Sequence, residues 1–204
     1  MTARTYEERL AGFVGRTLNA TRFGPDPVNV PMIRHWVEAM DDANPIYLDE
    51  ASARANGREG VVAPASMTQA WVMRGYAATV RPTASGTGTG TGTATATATA
   101  TGEVDGAREL VDLLDEGGYT SVVATDSDFE FVRELRPGDR VSLEEVVEDI
   151  SAEKRTGLGT GRFVTTLKIY RDADGEVVAT QRWRTLRFRP AQHDVAPATH
   201  EGEN

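Results

Sequence analysis

From residue 119 to residue 190 the chain alternates apolar and polar side chains over four successive stretches, and no other feature limits its fold as tightly. The stretches are YTSVVATDSDFEFVREL, RVSLEEVVEDISAEKR, GRFVTTLKIYRDADG and EVVATQRWRTLRFRP. A period of two puts alternate residues on opposite faces, so Phe129, Phe131, Val141, Leu143, Val164, Leu167, Ile169, Val177, Val178, Trp183, Leu186 and Phe188 mark half-buried strands. The turns RPGD (136–139) and DADG (172–175) carry Pro, Gly and Asp where tight turns need them, and DADG between two strands predicts a hairpin. Strands joined this way form an antiparallel sheet, and such a sheet must bury one face against something.

The first half of the chain supplies the cover. Tyr6, Leu10, Phe13 and Val14 recur at helical spacing. RTLNATRFGPDPVNVP reads as a short strand and a loop, because Gly24, Pro25 and Pro27 prevent regular helix. A helix follows from Pro31, with Ile33, Trp36, Val37 and Met40 as its apolar face, and stops before Asn44-Pro45. DEASARANG predicts a short helix ending at Gly57, and ARELVDLLDEG another. Between them Pro64 opens a run of small and apolar residues in which Met67, Ala70, Trp71 and Arg74 keep the helical period. That run predicts a helix buried against the sheet. The expected fold class is α+β, a curved antiparallel sheet around a central helix.

The expected organisation is one domain over residues 1–190 and a disordered polar tail over 191–204. Within it, residues 81–105 hold a Gly-Thr/Ala-Thr repeat with no side chain large enough to pack, which reads as a surface loop without function. The formal charge of -9 argues against nucleic acid as a partner. Cys is absent, which excludes disulfides, thiolate nucleophiles and cysteine metal sites, and no metal site is expected. The N-terminus lacks a signal-peptide pattern and no apolar run approaches the ~20 residues of a membrane span, so the expected location is cytoplasmic. Only His35, His193 and His200 exist, the last two in the tail, so any histidine chemistry within this chain rests on His35.

Four segments in order carry a resemblance: WVEAMDDANPIYLDE, GVVAPASM, GYTSVVATDSDFEFVRELRPGDRV, and DADGEVVATQR. Across residues 5–190 the chain resembles the MaoC-like hydratase/dehydratase family, in its N-terminal-type dehydratase domain. The resemblance implies a hotdog fold, pairing with a second hotdog, and addition of water to 2-enoyl thioesters. Active members hold a water between an Asp and a His either side of an Asn-Pro step, and use a backbone N–H at the start of the buried helix for the thioester oxyanion. Here the Asp position is Asp42, but the His position is Tyr47, whose reference pKa of about 10 against about 6.5 makes it a poor base near neutrality. Ala63-Pro64 stands where active members carry His-Gly, and Pro64 has no N–H to offer.

The resemblance therefore implies a non-catalytic subunit of an actinobacterial heteromeric hydratase, acting on bulky steroid (cholesterol side-chain) enoyl-CoA thioesters. It implies a catalytic hotdog partner with the intact Asp/His pair, an acyl-CoA substrate, no resident cofactor, and a thiolase-like lyase as a further partner. A zinc-ribbon and OB-type domain found in such relatives is expected to be removed or encoded separately. Two other readings stay open: a self-sufficient (3R)-hydroxyacyl-ACP/CoA dehydratase using Asp42, and an acyl-CoA-binding scaffold for a lyase.

Individual residues keep two readings as well. Asp42 reads equally as a catalytic relic and as a helix stop, and Tyr47, Met67 and Trp71 as tunnel lining or as structural residues. His35 reads as a surface or interface residue. Arg133, Arg136, Arg182 and Arg184 read as solvated charge, with binding of adenine-nucleotide phosphates as the other reading.

Overall fold

A computed structural model of the chain describes residues 4–73 and 106–190. The repeat-bearing loop, the polar tail, and the helical period from Arg74 onward lie outside the described residues. The secondary-structure elements are α1 (Tyr6–Ala11), β1 (Thr17–Phe23), α2 (Val30–Ala39), α3 (Glu50–Ala55), α4 (Gly106–Glu116), β2 (Ser121–Phe131), β3 (Ser142–Ile150), β4 (Lys154–Thr156), β5 (Gly159–Arg171) and β6 (Val177–Pro190). The strands form one antiparallel sheet in the order β1-β3-β5-β6-β2, with β4 pairing the start of β5.

Each alternating stretch of the sequence is a strand, and the turn chemistry acts as expected. In DADG, Asp172 Oδ1 accepts the N–H groups of Asp174 and Glu176 at 3.1 and 2.9 Å, and Gly175 takes a φ of 88°. RPGD does a different job, since β2 and β3 are not neighbours. The chain leaves β2 at one edge of the sheet and crosses to β3, and on the way Leu135 O accepts the Ala63 N–H at 2.8 Å.

Two apolar clusters pack against the sheet. In one, α2 and the 61–72 segment bring Ile33, Ala63, Met67, Trp71 and Val72 onto Leu135, Val141, Tyr170, Val178 and Ala179. In the other, α1, the turn after it and α4 bring Leu10, Phe13, Leu110, Leu113 and Leu114 onto Val147 and Val164. Burying a large aliphatic side chain contributes about 1.5–3 kcal/mol, so these clusters hold the helices on the sheet.

The helix expected from Pro64 departs from the sequence reading. The structure has two single 3-10 turns there, Ala65–Met67 and Ala70–Val72. The local hydrogen bonds explain the change. Thr68 donates both its N–H and its hydroxyl to the Ala65 carbonyl, and Arg22 donates to the Val72 carbonyl at 3.2 Å, so tertiary and side-chain partners take acceptors that an α-helix would use. Gly24 lies so close that a Cβ there would meet the Trp71 carbonyl oxygen at 1.9 Å, which pins this segment against the end of β1.

Candidate active site

The site begins with how α2 ends. Asp41 adopts φ 52°, the left-handed conformation that Asp tolerates better than most residues. The Asp42 N–H then reaches back to the Val37 carbonyl at 2.9 Å and that of Asp41 to Glu38 at 3.4 Å, a Schellman-type stop. Asp42 Oδ1 accepts the Asn44 N–H at 3.1 Å, and Asn44 Oδ1 accepts the Ile46 N–H at 3.3 Å. Pro45 opens a 3-10 turn through Tyr47, and Asp49 caps α3 through the Ser52 N–H at 2.6 Å. DDANPIYLDE is thus a relay of caps, in which Asp42 serves the backbone through one oxygen.

The turn brings Asp42 and Tyr47 together electrostatically. Burial pushes the Tyr47 phenol above its ordinary value, and the charges of Asp42 and Glu134 push the same way against Arg58. A phenol held protonated can donate a hydrogen bond but cannot take a proton from water near neutrality. Arg58 and Glu134 form a two-pronged ion pair beside it at 2.6–3.0 Å. Neither residue carried a signal in the sequence: they are 76 positions apart and each looks like an ordinary surface charge.

The remaining candidates divide between the core beside the turn and the surface. Met67 and Trp71 are buried within the cluster against which Tyr47 packs, and the Trp71 indole N–H has no partner among the described residues. Tyr47 is half-buried and is the one of the three that reaches the surface. The Ala63 N–H is spent on Leu135 and Pro64 has none, so neither position offers a donor to an oxyanion. His35 lies on the surface beside Glu38, with its side chain 71% exposed. Arg133 pairs with Asp139 and Asp172, Arg136 with Glu59, Arg182 with Glu148 and Arg184 with Asp126. All four basic residues are thus engaged with carboxylates of this chain. No described helix is long and apolar enough to cross a membrane.

Comparison with known proteins places this geometry. The model of the FAS1-like dehydratase domain region matches residues 13–181. A probable enoyl-CoA hydratase alpha subunit of Thermomonospora curvata is 64% identical over 190 residues, which span 93% of this chain and 54% of that protein. The 3-oxo-4,17-pregnadiene-20-carboxyl-CoA hydratase alpha subunit of Mycobacterium tuberculosis is 39% identical over 170 residues, 83% of this chain and 48% of that protein. The chain therefore spans about half the length of these curated relatives.

Among solved structures, a chain of the ChsH1-ChsH2 complex from Mycobacterium tuberculosis superposes with a TM-score of 0.75 at 35% identity, covering 91% of this chain and 97% of that one. A MaoC-like dehydratase from Rhodospirillum rubrum, at a TM-score of 0.51 and 19% identity over 88% of this chain and 94% of that one, shares the fold alone. The hotdog fold expected from the resemblance is thus the fold observed, and the chain belongs to the FAS1-like, MaoC-like dehydratase family.

Proposed function

We propose that this chain is the pocket-shaping, non-catalytic subunit of a heteromeric enoyl-CoA hydratase for bulky 2-enoyl-CoA thioesters, with steroid side-chain thioesters as the substrate class. One observation carries the reading: the turn that would hold an acid and a base around a water presents Asp42 with a phenol kept protonated. Ala63-Pro64, with its one N–H engaged, agrees with it. The water chemistry then falls to a second hotdog chain with an intact Asp/His pair, to which this chain contributes Tyr47 at the surface, with Met67 and Trp71 fixing the floor beneath. The alpha-subunit names of the relatives support a multi-subunit hydratase, and the name of the Mycobacterium tuberculosis relative supports the steroid acyl group. The coenzyme A thioester enters as substrate, with no resident cofactor, and the chain works in the cytoplasm.

The test is hydration of enoyl-CoA thioesters, read from the loss of enoyl absorbance, by the chain alone and after co-expression with an Asp/His-bearing hotdog chain. The complex should turn over, the chain alone should not, and Asp42→Ala should leave the rate of the complex within a few-fold. Turnover by the pure chain that Asp42→Ala abolishes would overturn the reading in favour of a self-sufficient (3R)-hydroxyacyl dehydratase.

A further inference from the structure

β2 is an edge strand: it pairs with β6 on one side, and no described strand pairs with its other side. Eleven residues long, it is an open row of backbone donors and acceptors, which soluble proteins normally cover or block. Its two ends are apolar and exposed. Val122 and Val123 are exposed at the start. Phe131, 44% exposed, ends the strand, and Val132, 62% exposed, follows it. Successive strand residues point to opposite faces, so a small molecule lying on one face cannot cover both Val122 and Val123. A strand added along the edge can.

The middle of β2 says which strand. Ser127 and Phe129 face the core, Ser127 through the buried Gln181 and Phe129 through stacking on Tyr170. Asp126, Asp128 and Glu130 therefore line the opposite, solvent-facing side at every second position. Their neighbours on β6 leave them incompletely neutralised. Arg184 approaches Asp126 only to 3.8 Å, and Arg182 spends both its prongs on Glu148, at 2.6 and 2.8 Å. Asp128 and Glu130 have no ion pair among the described residues.

We infer that the acidic row Asp126-Asp128-Glu130 prevents β2 from pairing with its own copy and selects a different chain. The selected edge strand would carry Lys or Arg on the matching face and apolar residues at both ends. Two-fold pairing of β2 with itself keeps equivalent faces together, so every register that overlaps the middle of the strand opposes these acids to one another. Like charges across a strand pair are destabilising, whereas opposite charges stabilise. The inference rests on the heteromeric reading above and gives its partner a chemistry.

The test uses this chain alone, so its failure would leave the hydratase reading standing. Sedimentation and native mass measure self-association at low ionic strength, and hydrogen exchange of the amides of residues 121–131 shows whether β2 is the contact. In wild type the β2 N–H groups that point away from β6 should exchange freely. The isosteric triple variant D126N/D128N/E130Q should self-associate at least about tenfold more tightly, the scale of two or three relieved like-charge pairs, with the outward β2 amides protected. The variant D126K/D128K/E130K, or D128K alone if the triple change fails a thermal-melt check of folding, should form a 1:1 pair with wild type that added salt weakens. A wild-type homodimer in which those outward β2 amides are protected would overturn the inference. So would a neutralised variant that associates no better than wild type, or a charge-reversed variant that does not pair with wild type.

Discussion

Tyr47 is the residue on which the functional reading turns, and its behaviour follows from its neighbours. Partial burial and the charges of Asp42 and Glu134 raise its phenol, while Arg58 pulls the other way. Difference titration of wild type against Tyr47→Phe, followed by phenolate absorbance, should give a midpoint above the ordinary value of about 10. The hydroxyl makes no hydrogen bond among the described residues, so the same substitution should change stability by less than about 0.5 kcal/mol by urea unfolding. Tyr170 contrasts with it. Its hydroxyl, fully buried, donates to Gln181 Oε1 at 2.7 Å, and Gln181 Nε2 donates onward to Ser127 at 3.0 Å. Burial holds the Tyr170 phenol far above its ordinary value. The stability linked to its proton is therefore complete below about pH 10 and falls as pH rises towards the raised folded value. Tyr170→Phe should cost about 1–3 kcal/mol at neutral pH, because it strands a buried carbonyl oxygen, and should flatten the alkaline loss in a pH series of thermal melts.

At the scale of elements, the end of α2 is held by a conformation that a side chain resists. Asp41 sits at φ 52° with its N–H directed to Glu38 and the next N–H to Val37. Asp41→Gly keeps both bonds and removes the steric cost, so it should raise stability by about 0.5–1 kcal/mol in chemical denaturation. The stop was legible in the sequence, since Asn44-Pro45 marks it, and so was the start, where Asn29 Oδ1 accepts the Met32 N–H at 3.0 Å just before Pro31. The segment after Pro64 was not. Its spacing is helical, yet Arg22, Gly24 and Thr68 impose 3-10 turns through contacts that lie far off in sequence or compete locally for carbonyls. Propensity is a weak prior when tertiary partners claim the backbone.

Across the whole molecule, the second core is tied together by one buried cation. Arg162 is 7% exposed and donates to Glu7 at 2.5 Å, to the Tyr119 hydroxyl at 3.1 Å and to the Ser151 carbonyl at 3.2 Å. It thereby joins α1, the turn after α4, the loop after β3, and β5. Arg162→Met keeps the packing of the stem and loses all three bonds, so it should cost about 1–3 kcal/mol in urea unfolding. Glu7→Gln should cost less than about 1 kcal/mol, because Glu7 is largely solvated. A larger effect of the Glu7 change than of the Arg162 change would contradict this division.

The sequence by itself determined the sheet, its turns, most of the helices and the Asn-Pro turn that carries Asp42 and Tyr47. These depend on periodicity, on Gly, Pro, Asn and Asp at fixed positions, and on which side chain follows Asn44-Pro45. Only the tertiary structure decided the strand order that leaves β2 at an edge, the 3-10 form of the segment after Pro64, and the placement of Arg58 and Glu134 beside Tyr47. It also decided that Met67 and Trp71 lie in the core while Tyr47 reaches the surface. The physical reason is the range of the interactions. Periodicity and turn chemistry act within a few residues, whereas strand order, shared carbonyls and ion pairs are settled between residues that only the folded chain brings together.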